Sequence, residues 1–195
     1  KESFKKFNNF EKCYGFWPLP HNVRNWRLML SLNNKKYLKS LSIKKYRKEE
    51  KKVVLEGFRL IDEAIKNGIP FKQIWIDEFN KTKNNIKLLV DTLDNKNIPY
   101  TFEKSKDVHS ISLTKNSQGL LGLISIDKLF NDLLENFGNN IVILDEISDP
   151  GNLGTILRTC AWFGVDSIIL TENSADIFNP KCLRAAMGGH FYMKN

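Results

Sequence analysis

The chain has 195 residues, which is long enough for one large domain or for two small ones that each close a hydrophobic core. Hydrophobic residues make up 42% and charged residues 27%, a balance that excludes a fibrous or disordered chain, and no apolar run approaches the roughly 18 residues that cross a membrane. The net charge of +8 is concentrated at the front, since residues 1–52 hold 15 Lys and Arg against 4 Asp and Glu while residues 53–195 hold 15 against 18.

Aromatic side chains are interleaved with the cations of this front segment, namely Phe4, Phe7, Phe10, Tyr14, Phe16, Trp17, Trp26, Tyr37 and Tyr46. Cations neutralise phosphates and rings stack on unpaired bases, so this composition favours contact with nucleic acid. A solvated tail and the mature end of an organelle-import segment remain open as alternatives. We assign residues 1–40 to a basic aromatic extension.

Strand and helix patterns alternate regularly from Val53 onward. Apolar runs predict four strands at 53–57, 73–77, 99–103 and 119–126, and helical periodicity predicts three helices at 58–68, 81–95 and 106–109. This alternation is typical of a small α/β sandwich with a largely parallel sheet. We assign residues 41–134 to this first domain.

A polar hinge at 135–140 precedes a second unit, which we assign to residues 135–195. The segment IVILDEI at 141–147, which opens with four apolar residues, predicts a parallel strand covered on both faces. A helix at 153–163 and a strand at 167–170 complete a βαβ crossover, and Gly164 is expected to end the helix in the left-handed conformation. A last helix should begin at an Asn179 cap with Pro180 in its first turn and end near Gly188.

The turn DPGNLG after the first strand of this unit carries the most chemical information. Open α/β sheets bind ligands at the carboxyl ends of their strands, where helix amides point outward. We expect Asn152 to cap the following helix and Gly154 to admit another backbone or a phosphate. Arg158 lies away from the apolar positions of that helix and is free to meet a polyanion, unless it pairs with Asp145 or Asp149.

The cysteines and histidines do not indicate a metal centre. They are scattered through the chain, without a CxxC pair or a paired histidine, at Cys13, Cys160, Cys182, His21, His109 and His190. We interpret them as buried or partly exposed side chains in a reducing compartment.

The segment DPGNLGTILRTCAWFGVDSIIL resembles the first signature of the SpoU (TrmH) family of RNA 2′-O-methyltransferases, in the SPOUT superfamily. NPKCLRAAMGGHF is similar to the family's next segment. KKYRKEEKKVVLEGFRLIDEAIKNG and NSQGLLGLISI are similar to the ribosomal-protein-like α/β substrate-binding domain that precedes the catalytic domain in many members. Three segments in the family's order, over about residues 41–195, make a specific resemblance.

This resemblance implies methyl transfer from S-adenosylmethionine to a ribose 2′-hydroxyl in structured RNA, on a parallel sheet of the α/β-knot type. By match to the motif, Arg158 takes the place of the catalytic arginine and Asn152 that of the asparagine that helps to position it. A free guanidinium is too weak an acid to serve as a base, so we expect Arg158 to act while clamped on the target phosphate.

Four further cations are candidates for RNA contact. They are Lys45, Arg47, Arg59 and Arg184, and for Arg184 a pairing with a nearby acid is an equal alternative. The resemblance also favours ribosomal RNA over transfer RNA and implies a homodimer for the full-length protein. The compartment is left open between mitochondrion, plastid and cytoplasm.

Two departures from the family pattern affect the expected activity. Ala186 stands where many members carry Ser, and the later Gly-Asn-Glu-Gly and Ser-Leu-Asn signatures that line the cofactor pocket are absent. We therefore expect a truncated catalytic domain that binds S-adenosylmethionine poorly, with cofactor-binding residues that the sequence does not identify. The alternative is a non-catalytic RNA-binding or ribosome-assembly protein, while a nucleotide-binding oxidoreductase is disfavoured because the turn lacks GxGxxG.

Overall fold

A computed structural model describes residues 30–114, 116–126 and 138–193. The predicted nucleic-acid contact of residues 1–29, together with Cys13 and His21, lies outside the described residues. Within them the helices are α1 (Leu32–Ser40), α2 (Lys44–Glu50), α3 (Phe58–Lys66), α4 (Asn84–Asn95), α5 (Ser105–Ile111), α6 (Pro150–Trp162) and α7 (Pro180–Ala186). The strands are β1 (Lys52–Glu56), β2 (Phe71–Asp77), β3 (Tyr100–Glu103), β4 (Leu120–Ser125), β5 (Ile141–Leu144) and β6 (Ser167–Leu170).

The first sheet has the strand order β1-β4-β2-β3. Strands β1, β2 and β3 run in one direction, as predicted, but β4 is inserted antiparallel between β1 and β2. The prediction of a largely parallel sheet is therefore correct for the common direction of β1, β2 and β3. It is wrong for β4, which pairs antiparallel with both β1 and β2. Apolar strands that are buried on both faces look alike in sequence whichever way they run.

Helices cover both faces of this sheet, which confirms the α/β sandwich. Helices α3 and α4 place Ile61, Ile65 and Leu93 in one apolar core. On the other face, Trp75 of β2 packs in a second core with Leu38 of α1 and residues of α5. Helix α1 lies in the segment that the sequence assigns to the extension, so the part of that segment from residue 30 onward is packed on the sheet.

The second unit contains the parallel pair β5 and β6, connected through α6. This arrangement confirms the predicted crossover, and Gly164 has the expected left-handed φ of +68°. The β5 strand ends at Leu144, earlier than predicted, because the amides of Glu146 and Ile147 bind the side chains of Thr171 and Ser174 instead of a neighbouring strand.

One face of the β5–β6 pair is open in this structure. Ile143 is 68% exposed, and Ile141 and Ile169 are also exposed, whereas Ile168 on the opposite face is buried. The expectation that the first strand of this unit is covered on both faces is therefore wrong for the described chain. Residues 30–114, 116–126 and 138–193 do not cover that second face.

The two units share buried contacts. Arg47 of α2 binds Asp176, in the loop between β6 and α7, with Nη2 2.6 Å from Oδ2. Tyr192 donates a hydrogen bond to Glu63 of α3. The same apolar core runs from α3 through α6 and α7. The second unit is thus held against the side of the first sheet that α3 covers.

Candidate functional site

The start of α6 is organised by Asp149. Its Oδ1 accepts the amide hydrogen of Asn152 at 2.8 Å, which makes Asp149 the N-cap, and Pro150 occupies the first helical position. The prediction that Asn152 caps this helix is wrong, because the helix begins three residues earlier and Asn152 lies inside its first turn. An acidic side chain directly before a helical proline is the sequence signal that identifies the true cap.

Asp149 also ties α6 to the start of α7, a connection that sequence reasoning missed. Lys181 donates from Nζ to Asp149 Oδ2 at 2.6 Å. The pair passes close to Gly151, where an added Cβ atom would lie 2.9 Å from Lys181 Cε and would displace the end of that side chain. The hydrogen bonds from Lys181 and from the Asn152 amide hold the pKa of Asp149 below its ordinary value.

Gly154 sits at the contact between α6 and α7. A Cβ atom there would lie 2.4 Å from the carbonyl oxygen of Cys182 and 2.7 Å from Cβ of Ala185. Of the two roles left open by the sequence, the approach of another backbone is the one observed. The glycine allows the two helices to meet, and its buried position leaves no room there for a phosphate.

Arg158 is exposed and forms no hydrogen bond or ion pair with the described residues. The alternative partner Asp149 is occupied by Lys181, so the predicted pairing with that acid is not formed. Arg158 lies eight residues after Pro150, which places its Cα about 12 Å along the helix axis from the start. It therefore projects from the body of α6 rather than beside its first turn.

The structure does not bring Asn152 and Arg158 together within one chain. A separation of six residues on an α-helix corresponds to about 9 Å along the axis and about 120° around it. Both side chains are exposed, and no hydrogen bond joins them.

The predicted RNA contact of Arg47 is wrong. Its side chain is only 2% exposed, and its donors are used within the protein. Nε and Nη2 donate to Asp176, at 3.2 and 2.6 Å, and Nη1 donates to the Leu41 carbonyl oxygen at 2.8 Å. The sequence shows that Arg47 lies in a basic segment, but it does not show that the tertiary fold buries this side chain between the two units.

The three other candidate cations are exposed. Lys45 lies on α2, 4.0 Å from Glu49 in a surface pair. Arg59 lies in the first turn of α3. Arg184, on α7, lines a shallow cleft between the units together with Glu56 and Leu113.

The buried cysteine and histidine near α7 are structural. Burial raises the pKa of Cys182 to about 12 and lowers that of His190 to about 4, so both are neutral near pH 7. His190 Nε2 lies 2.7 Å from the Ile177 carbonyl oxygen. Neither group is an accessible nucleophile, and no cluster of three potential metal ligands occurs among the residues that the structure describes.

In the part of the chain that the structure describes, the β5–β6 pair is not enclosed on both faces, as a buried pocket for S-adenosylmethionine would require. Beside the carboxyl ends of β5 and β6, the face that carries Ile143 is open rather than enclosed. The cleft lined by Arg184 lies instead between α7 and β1 and is lined mainly by apolar side chains. No reaction step is therefore assigned to cofactor contacts within the described chain.

Two protein families match the two units. Residues 33–122 match the MRM3-like substrate binding domain, and residues 139–195 match the SpoU rRNA Methylase family.

None of the described helices is long and apolar enough to cross a membrane.

Several proteins resemble the chain over most of its length. Human "rRNA methyltransferase 3, mitochondrial" is 34% identical over 152 residues, which cover 75% of this chain and 35% of that protein. The Bacillus subtilis "23S rRNA (guanosine(2553)-2'-O)-methyltransferase RlmP" is 28% identical over 143 residues, covering 72% of this chain and 52% of the relative. The chain thus spans between about a third and about half of the length of these two relatives.

A solved structure supports the same assignment. The AdoMet-bound rRNA methyltransferase from Sinorhizobium meliloti superposes with a TM-score of 0.68 at 27% identity, over 85% of this chain and 62% of that one. The fold therefore agrees with that of this rRNA methyltransferase over most of the chain. Residues 139–195 thus match the SpoU rRNA Methylase family, and residues 33–122, in front of them, match the MRM3-like substrate binding domain.

Proposed function

We propose that the protein is an S-adenosylmethionine-dependent RNA 2′-O-methyltransferase. In this proposal residues 41–134 bind the RNA, and residues 135–195 form the first part of the methyltransferase domain. The observation that carries the proposal is Arg158, a guanidinium that is exposed on α6 and has no acidic partner among the described residues. Two of the relatives that match the chain are named as methyltransferases of ribosomal RNA.

The chemistry assigned to Arg158 follows from its charge and exposure. A planar guanidinium binds a phosphate through two parallel hydrogen bonds, which fixes the adjoining ribose. Its positive charge then stabilises the negative charge that develops on the 2′-oxygen as the proton leaves. Methyl donation is supplied by S-adenosylmethionine when bound. Arg158 orients the nucleotide and does not take up the proton, because a guanidinium offers hydrogen-bond donors but no acceptor.

The separation of Asn152 from Arg158 supports the expected homodimer. Because the two side chains diverge on one helix, we propose that the site combines Arg158 of one copy with Asn152 of a second copy of the chain. We therefore propose that two methylase segments pair across α6. Equal activity of the protein as a monomer in solution, measured by light scattering and methyl transfer at the same concentration, would contradict this arrangement.

The substrate that we propose is ribosomal RNA in a mitochondrion. Support comes from the basic front of the chain and from the printed names of the vertebrate relatives, which are mitochondrial rRNA methyltransferases. The alternative is a non-catalytic RNA-binding protein. It is favoured by the open face of the β5–β6 pair, which leaves the described chain without an enclosed cofactor pocket.

Ribose methylation mapped in cells separates these two functions. We expect depletion of the protein to remove a specific 2′-O-methyl group from ribosomal RNA, and re-expression of the wild type to restore it. Arg158→Ala should reduce methylation by about 100-fold, because the loss of one group that stabilises the transition state has an effect of this size. Lys87→Ala, which removes an exposed cation on α4, is the matched control and should restore it fully. Unchanged methylation after depletion, with defective ribosome assembly, would establish the non-catalytic alternative.

A further inference from the structure

We propose that the carboxyl-terminal edge of the first sheet is an RNA-docking surface, with Phe79 as the platform on which an unpaired base stacks. We call this surface the substrate-sheet edge, and define it by Arg59, Phe79, Lys81 and Lys104. The inference rests on the RNA substrate of the proposed function and adds the place and the manner of contact. Residues 78–80, which carry Phe79, form a short 3-10 turn directly after β2.

The turn that presents Phe79 is held by a buried carboxylate. Asp77 is 4% exposed, and its Oδ1 accepts the amide hydrogen of Phe79 at 3.0 Å. Its Oδ2 accepts a hydrogen bond from Ser105 at 2.8 Å and lies 3.1 Å from His109 Nε2. Burial of a carboxylate is unfavourable unless it is fully hydrogen-bonded, so these contacts give the turn one defined conformation.

Phe79 itself is 75% exposed, although its backbone is fixed. A single exposed apolar side chain is ordinary on a protein surface. Phe79 differs from a side chain on a mobile loop because its backbone is already ordered, so only its two side-chain torsions lose freedom when a flat ligand packs on the ring. Nucleic-acid bases are flat, and stacking on aromatic rings is the usual sequence-tolerant contact with unpaired bases.

A second side chain connects this turn to Arg59. Gln118 accepts the amide hydrogen of Phe58 through Oε1 at 2.7 Å, at the start of α3. Its backbone carbonyl oxygen accepts from Nδ2 of Asn80 at 2.9 Å. The loop before β4 therefore joins the loops that follow β1 and β2, and Arg59 and Phe79 belong to one connected edge.

The charges at the edge match a polyanion. Segments 78–83 and 103–107 together hold four lysines against three acids, and one of those acids, Asp107, is already paired with Lys35 at 2.7 Å. The parallel register of Asp77 with Glu103 places Lys104 beside the Phe79 turn. Cations next to an exposed ring combine phosphate binding with base stacking.

The edge is continuous with the methylase unit. Arg184 of α7 lines the cleft between the units together with Glu56 and Leu113, which belong to the end of β1 and to the loop before β4. An RNA strand that crosses from Arg184 onto the first unit therefore meets the substrate-sheet edge.

Binding of RNA to the full chain tests the proposal. We would measure fluorescence anisotropy of a labelled RNA hairpin with an unpaired loop, and of a fully paired duplex of equal length. Phe79→Ala should weaken hairpin binding by about 10-fold, the size expected for one base stack, and leave duplex binding unchanged. Phe79→Trp should bind at least as tightly as the wild type, and Phe79→Leu should bind as weakly as Phe79→Ala.

Two controls make the outcome specific. Leu88→Ala removes an exposed apolar side chain on α4, 68% exposed, and should have no effect. Lys104→Ala should lower the slope of log affinity against log salt by about 1, whereas Phe79→Ala should leave that slope unchanged.

Three results would overturn the inference. They are hairpin binding by Phe79→Ala equal to that of the wild type, full rescue by Phe79→Leu, or an altered oligomeric mass of Phe79→Ala without loss of RNA affinity. If the wild-type chain bound neither RNA, the proposed RNA substrate would be contradicted as well. This outcome is seen with the wild-type protein alone, so it can be told apart from a failure that concerns only Phe79.

Discussion

His190 should make the stability of the fold depend on pH between 6.5 and 4. The imidazole is 2% exposed, its Nε2 lies 2.7 Å from the Ile177 carbonyl oxygen, and its ring stacks on Phe178 with centroids 6.1 Å apart. Burial lowers its pKa from 6.5 to about 4. In the unfolded chain the group takes up a proton below pH 6.5, whereas in the folded chain it stays neutral until about pH 4.

The sign and size follow from this difference. Because the unfolded state binds more protons in that interval, the free energy of unfolding falls as the pH falls, by about 1.4 kcal/mol per pH unit. The total is about 3 kcal/mol by pH 4. Carboxylates with lowered pKa, such as Glu63 and Asp149, start from ordinary values of 4.5 and 3.8. Their contribution is lost only below those values, so they do not obscure the upper part of the interval.

Urea unfolding at a series of pH values measures this effect. The His190→Gln variant keeps an amide donor for the Ile177 carbonyl but has no titrating group. We expect the difference in unfolding free energy between wild type and variant to shrink steadily from pH 7 to pH 5. Parallel curves for the two proteins above pH 4.5 would refute the assignment of the pH dependence to this buried imidazole.

Two other substitutions test contacts that hold the second unit together. Gly154→Ala should lower the free energy of unfolding by about 2 kcal/mol, because the new Cβ atom meets the backbone of α7. Gly164→Ala has open space around the new Cβ atom, so it should lower the free energy of unfolding by only about 1 kcal/mol, because alanine is strained in the left-handed conformation. Asp176→Ala should cost about 3 kcal/mol because it leaves Arg47 charged and buried, and Lys45→Ala, at an exposed pair, should change stability little. Both comparisons are made by urea denaturation at pH 7, and equal losses within either pair would contradict the packing described.

Local patterns were sufficient to predict most elements of this chain. Apolar periodicity and turn residues identified β1 to β6 and helices α3 to α7, with ends displaced by a few residues. The predicted start of α7 is also confirmed, since the Asn179 side chain accepts the amide hydrogen of Lys181 and Pro180 is the first helical residue. These signals depend on contacts between near neighbours in the chain, which any sequence displays directly.

The misplaced cap and the missed ion pair show where that information ends. Asn152 and Asp149 are both good capping residues, and the choice between them depended on where the helix starts. The bond from Lys181 to Asp149 joins residues 32 positions apart, and nothing in their local sequence indicates it. The antiparallel insertion of β4 was missed for the same reason, because strand direction depends on long-range pairing.

The sequence by itself determined the succession of strands and helices, the family motif around Arg158 and the surplus of cations at the front. Tertiary structure alone decided which of the candidate RNA-binding cations meet solvent: Arg47 is buried against Asp176, whereas Lys45, Arg59 and Arg184 are exposed. It also decided that Phe79 projects from a fixed turn rather than packing inside. The physical reason is that burial and ion pairing depend on which distant segments meet, while periodicity and capping depend on residues within a turn or two.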